Sequence, residues 1–228
     1  MKEHFAEKLE TLRRQLIAMG AEAERQIGAA IEALVKGDAG KARAVIEGDK
    51  VVDAMEVKID EDAIELLATQ QPVAGDLRLL VSALKINSDL ERIGDHAVNI
   101  AEAAERLSRT RPFKPWVDIP HMAEIASGML KDSLDAFVRR DAALALAVCR
   151  RDDLLDEKNK SMIRELLTYM AENPALISTC LEIIGVSKNL ERVGDLATNI
   201  GEETIYIAQG DIIKHHLGPR PAEGASGA

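Results

Sequence analysis

Acidic side chains recur at helical spacing in this sequence. Glu91, Asp95, Asn99 and Glu102 form one set, and Glu191, Asp195, Asn199 and Glu202 form another. At about 100° per residue, each set falls within an arc of about 80° on a helix. Each is therefore one stripe of oxygen donors. Further acidic faces occur at Asp49, Asp53 and Glu56, and at Asp152 and Asp156. Stacked carboxylates repel by a few tenths of a kcal/mol per i,i+4 pair on an exposed helix, roughly the reverse of an ion pair. A bound cation relieves that repulsion. Carboxylate and amide oxygens suit Mg, Ca, Mn and Fe. The expected metal residues are Asp49, Asp53, Glu91, Asp95, Asn99, Asp152, Asp156, Glu191, Asp195 and Asn199, with Glu56, Glu102 and Glu202 as additional ligands. The expected cofactor is a divalent or trivalent ion: Fe, Mn, Mg or Zn.

A lone acidic stripe is ordinarily a solvated helix face. Here the stripe is duplicated. Residues 90–102, LERIGDHAVNIAE, match 190–202, LERVGDLATNIGE, at nine of thirteen positions with an offset of 100. Residues 44–53, AVIEGDKVVD, match 147–156, AVCRRDDLLD, with an offset of 103. Gly94 and Gly194 stand beside the acids in both copies. A helix-interior glycine costs about 1 kcal/mol relative to Ala, so close approach of a neighbouring backbone is expected there. Arg92 and Arg192 are expected to bridge to nearby carboxylates. Leu196 replaces His96 in the other copy, so His96 is not expected to be a required ligand. Trp116 reads as a linker anchor, and the pair His215-His216 as solvated.

The elements that must carry these residues are helices. Phe5, Leu9, Leu12, Leu16, Ile27, Ile31 and Leu34 recur at helical spacing. Gly37 ends that helix and Asp38 caps the next, which runs to about Gln70 before Pro72 breaks it. A third runs from about Val73 to Leu107, with Leu90, Ile93, Ala97 and Ile100 facing the core. A fourth passes through Ile125, Met129, Leu134 and Phe137. Asp141 caps a fifth, and Asn173-Pro174 opens a sixth that runs to about Ala208. The fold expected is all-α, with six long helices in two tandem three-helix bundles of approximate two-fold pseudosymmetry. The expected boundaries are 1–108 for the first bundle, 109–120 for a Pro-rich linker, 121–210 for the second bundle and 211–228 for a flexible tail.

Composition excludes several classes. The chain has 228 residues, 46% hydrophobic and only 3% aromatic, enough for a helical core. Its net charge of −10 argues against nucleic acid and anionic lipid as partners. Cys149 and Cys180 are the only cysteines, and they read as small core residues of a reduced compartment. The opening MKEHFAEKLE does not read as a signal peptide. No apolar run approaches the roughly 20 residues of a membrane span, so membrane association is expected only through partners. Neither a Gly-x-x-x-x-Gly-Lys loop nor a Gly-x-Ser-x-Gly elbow occurs, and no enzymatic activity is expected. The alternative is a ferritin-like metal-binding helical protein. That site wants two Glu-x-x-His motifs, but Gly94 and Gly194 stand three residues after Glu91 and Glu191.

The paired segments 90–102 and 190–202 resemble the PhoU signature, with its repeated Glu-or-Asp-x-x-x-Asp motifs. So do Asp49-Lys50-Val51-Val52-Asp53 and Gln71-Pro72-Val73-Ala74-Gly75-Asp76-Leu77-Arg78. The resemblance spans about residues 5 to 208. It implies two three-helix bundles with metal clusters on the motifs, which fall here on Asp49, Asp53, Glu91, Asp95, Asp152, Asp156, Glu191 and Asp195. It also implies a cytoplasmic protein, often a homodimer, that restrains phosphate uptake. The implied partners are the ATPase subunit of a phosphate-specific ABC transporter and a PhoR-type sensor histidine kinase. The second copy lacks the Pro-x-Ala-x-Asp-Leu-Arg element.

Overall fold

The computed structural model describes residues 2–109 and 118–210, with side chains from Phe5 onward. Trp116, His215-His216, the 211–228 segment and most of 109–120 lie outside the described residues. Six long helices follow in order: α1 Lys2–Lys36, α2 Ala39–Gln70, α3 Gly75–Leu107, α4 Asp118–Arg139, α5 Ala142–Glu172 and α6 Ile177–Gln209. A 3-10 turn, Pro174–Leu176, leads into α6. No strand occurs among the described residues. The all-α duplication read from the sequence is the architecture observed.

The turns repeat as the helices do. Asp38 accepts from Lys41 N, and Asp141 accepts from Ala143 N and Leu144 N. These side chains satisfy N–H groups that have no partner within the helix. Before each cap the helix closes in a left-handed turn, with Asp38 N donating to Ala33 O and Asp141 N to Ala136 O, both at 2.9 Å. The left-handed residue is Gly37 in one copy and Arg140 in the other. Two boundaries differ from expectation. α3 starts at Gly75 rather than Val73, because the chain turns through Gln71 and Ala74, both at positive φ. α4 starts at Asp118, inside the stretch read as linker. Its first turn tolerates Pro120, since an N–H there has no intrahelical acceptor. Ile119 and Met122 are already buried.

One continuous apolar cluster joins both halves. Leu12, Leu16, Met19, Ala23, Ile27, Ala30 and Leu34 are its stripe on α1, at the i, i+3, i+4 spacing of a buried helix face. α3 and α6 pack against each other at the centre. They run antiparallel: Ser82 meets Glu203, His96 meets Asn189 and Arg106 meets Glu182. α1 also packs on α4, and a Cβ at Gly20 would collide with Leu134. Cys149 and Cys180 are buried free thiols, as expected. The centre is not wholly apolar. Glu203, 4% exposed, accepts from Ser82 Oγ and Lys85 Nζ, each at 2.8 Å.

Candidate metal centres

The acidic residues of α2 and α3 meet beside Gly94, and those of α5 and α6 beside Gly194. A Cβ on Gly94 would stand 3.2 Å from Val52 Cγ1 and 3.3 Å from Asp49 Oδ1. One on Gly194 would stand 2.6 Å from Leu155 Cδ2 and 3.3 Å from Asp152 Oδ1. The glycines therefore make room for a side chain that carries a carboxylate behind it. A neighbouring backbone, the reason expected from the sequence, is instead what Gly201 meets, at Ala145 O.

Electrostatics define the membership of each cluster. Burial, then Asp95, Glu56, Asp53 and Asp49, push the Glu91 carboxyl up to about 7. Burial, then Asp53 and Asp95, hold Asp49 above the ordinary aspartate range. Glu56 is raised by burial and by Asp60, Asp53 and Asp95. In the second half, burial and then Asp195, Asp156, Glu191 and Asp153 push Asp152 up to about 6. Glu191 is raised by burial and Asp195, against the pull of Arg192. Two carboxylates close enough to raise each other are a site where positive charge is missing.

The structure thus brings together Asp49, Asp53, Glu56, Glu91 and Asp95 in one half, and Asp152, Asp156, Glu191 and Asp195 in the other. Glu102 instead pairs with Arg106 at 3.5 Å. Asn99 is exposed. Asn199 and Glu202 line a separate cleft of about 250 Å³ between α3 and α6, with Lys85, Ser88, Asp89 and Glu203. Arg92 lies 3.9 Å from Asp89, whereas Arg192 donates to Asp195 at 2.8 Å and lies 3.6 Å from Glu191. His96 Nδ1 is 2.8 Å from Asn189 Oδ1 and faces away from the carboxylates. Among the described residues no three acidic, histidine or cysteine side chains close on one point as they stand. Ligation would draw the carboxylates of facing helices inward. The donor set suits an oxygen-bound cation. Asp152 Oδ1 is buried without a hydrogen-bond partner, and so is Gln26 Oε1 beside Gly94. Gln26 was not among the residues expected from sequence. Its one sequence signal is a polar side chain in the apolar phase of α1, between Ala23 and Ala30.

A duplicated three-helix bundle with one acidic cluster per copy defines the class to which this molecule belongs. The family model described as the PhoU domain matches residues 16–104 and again 119–204. The chain is 42% identical over 216 residues to a phosphate-specific transport system accessory protein PhoU homolog of Pseudomonas putida, covering 94% of this chain and 84% of that protein. It is 41% identical over 208 residues to the homolog of the same description from Aquifex aeolicus, covering 91% of this chain and 94% of that one. The crystal structure of PhoU from Pseudomonas aeruginosa superposes with a TM-score of 0.88 at 42% identity, over 91% of this chain and 100% of that one. The phosphate transport system regulatory protein PhoU from Streptococcus pneumoniae gives 0.86 at 26% identity, over 92% and 99%. The chain belongs to the PhoU family.

Proposed function

We propose that this protein is a cytoplasmic regulator of phosphate uptake and phosphate homeostasis that acts without catalysis. It is a metal-binding adaptor between the ATPase subunit of a phosphate-specific ABC transporter and a PhoR-type sensor histidine kinase. It restrains the phosphate-starvation response when phosphate is plentiful, and it works as a homodimer. Support comes from relatives described as accessory proteins of phosphate-specific transport. The observation that carries the metal reading is the pair of carboxylate clusters, each packed beside a helix-interior glycine and raised by burial and then by its own neighbouring acids. No helix of the described residues is long and apolar enough to cross a membrane, so the adaptor meets the membrane through its partners.

The test is genetic and chemical together. Deleting the gene is expected to derepress phosphate uptake in phosphate-rich medium, and the intact gene to restore restraint. The variant Glu91→Ala/Asp95→Ala/Glu191→Ala/Asp195→Ala is expected to be purified without metal and to fail in complementation. Unchanged uptake in the deletion would sink the regulatory role. Equal metal content by elemental analysis in parent and variant would sink the clusters as sites.

A further inference from the structure

We propose that the two metal sites are unequal, and that Gln26 of α1 supplies the first with a neutral oxygen ligand that the second lacks. Gln26 is fully buried, 0% exposed. Its Nε2 donates to Gly48 O at 3.3 Å and to Glu22 Oε1 at 3.5 Å. Both partners are acceptors only, so the amide nitrogen must face them and the oxygen must face the other way. That oxygen has no hydrogen-bond partner. It lies 3.6 Å from the point where a Cβ of Gly94 would stand, and Asp49 Oδ1 lies 3.3 Å from the same point. Two acceptor oxygens, from α1 and α2, thus flank the backbone of α3 at the base of the carboxylate cluster. A buried acceptor without a donor costs about 1–3 kcal/mol. A hard cation satisfies both oxygens at once, and an amide oxygen is an ordinary ligand for one.

The second half lacks this oxygen. Position 129 corresponds to position 26 by the same offset of 103 that relates Asp152 to Asp49. Met129 Cε lies 3.6 Å from the matching point at Gly194, where Gln26 Oε1 stands in the first half. Charge adds to the difference. In the second half Arg192 donates to Asp195, and Lys160 Nζ is 3.2 Å from Asp156. Among the described residues no Lys, Arg or His lies within 4.0 Å of the carboxylates of Asp49, Asp53, Glu56, Glu91 or Asp95. The first site therefore has five carboxylates and an amide oxygen without a competing cation. The second has four carboxylates, three of them (Asp156, Glu191 and Asp195) already within 4.0 Å of a basic side chain, and a thioether.

This inference rests on the metal reading above, and the experiment separates the two. Mn²⁺ is titrated calorimetrically into the full chain carrying Asp152→Asn/Asp195→Asn, so that the first site alone is read. Adding Gln26→Met is expected to weaken Mn²⁺ binding by roughly 10- to 100-fold. The metal-free thermal midpoint should hold, because the second half already packs Met at this position. Gln26→Glu keeps an oxygen there and is expected to retain binding, which separates a lost ligand from a packing defect. Conversely, Met129→Gln in an Asp49→Asn/Asp95→Asn background should tighten the second site. Equal Mn²⁺ affinity with Gln or Met at position 26 would overturn the proposal while leaving the carboxylate sites standing. No Mn²⁺ uptake by the unsubstituted chain would overturn the metal reading itself, and this proposal with it.

Discussion

Single residues carry the pH response of the metal-free protein. The Glu91 carboxyl titrates near 4.5 when free and about 7 in the fold, and Asp152 near 3.8 and about 6. An acid raised in this way stabilises the fold fully below its unfolded value. That contribution is lost as pH rises through the folded value. Groups shifted the other way act lower: Glu32, held at about 2 by Lys36 and Lys41, loses its contribution only below its ordinary 4.5. The metal-free chain is therefore expected to lose thermal stability between pH 5 and pH 8. Glu91→Gln should flatten much of that slope, and added Mn²⁺ should reverse it by binding the ionised carboxylates. A chelator-treated thermal series at several pH values reads all three effects. At this scale the sequence was legible wherever chemistry repeats at helical spacing, as at Glu91–Asp95 and Glu191–Asp195. It was not legible at Gln26, whose acceptor Gly48 O and neighbouring oxygen Asp49 Oδ1 lie on another helix. Nothing in one helix's periodicity says which polar side chain on a neighbouring helix will point at the acids.

At the scale of elements, the caps at Asp38 and Asp141 and the stop at Gly37 were readable because each is local chemistry. The strained turns were less so. Arg140 occupies the left-handed position that Gly37 fills in the other half, with φ of 52° against 65°. An L residue with a Cβ pays about 1–2 kcal/mol there, and glycine avoids that cost. Burial, and then Arg140 as a like charge across the α1–α4 contact, lowers the pKa of Arg13. Arg140→Gly is accordingly expected to stabilise the protein by about 1 kcal/mol, after the extra chain entropy of glycine is counted. A shift of the urea midpoint to higher concentration at constant m value is the measurement. Loss of stability would show that Arg140 makes interactions worth more than the turn. The start of α3 could not be placed from sequence, because Pro72 marks a break without stating that Ala74 would take a positive φ.

At the scale of the whole molecule, the duplication was plain in the sequence but the joining of its halves was not. Glu203 sits in the apolar phase of α6, between Ile200 and Ile207, and it is held by Ser82 and Lys85 of the other half. Its counterpart 100 residues earlier is Ala103, so the repeat itself hides it. Glu203→Ala leaves the buried Ser82 hydroxyl without its acceptor and opens a cavity at the junction. The expected cost is about 2 kcal/mol in urea unfolding. Glu102→Ala removes only an exposed partner of Arg106 and is expected to cost less than about 0.5 kcal/mol. Equal effects of the two substitutions would mean that the buried Glu203 contacts do not help to hold the halves together.

The antiparallel register of α3 and α6 also fixes where the two acidic clusters stand. Ser82 faces Glu203 and His96 faces Asn189, so the level of residue 93 on one helix is the level of residue 192 on the other. Both clusters therefore sit at the waist of the molecule, near the midpoints of Gly75–Leu107 and Ile177–Gln209. Each helix extends about 24 Å to either side of that waist. A fulcrum at mid-length has two long arms. If drawing carboxylates inward at the waist turns one central helix against the other by about 5°, each helix end travels roughly 2 Å over such an arm, a displacement a docked protein can feel far from any ion.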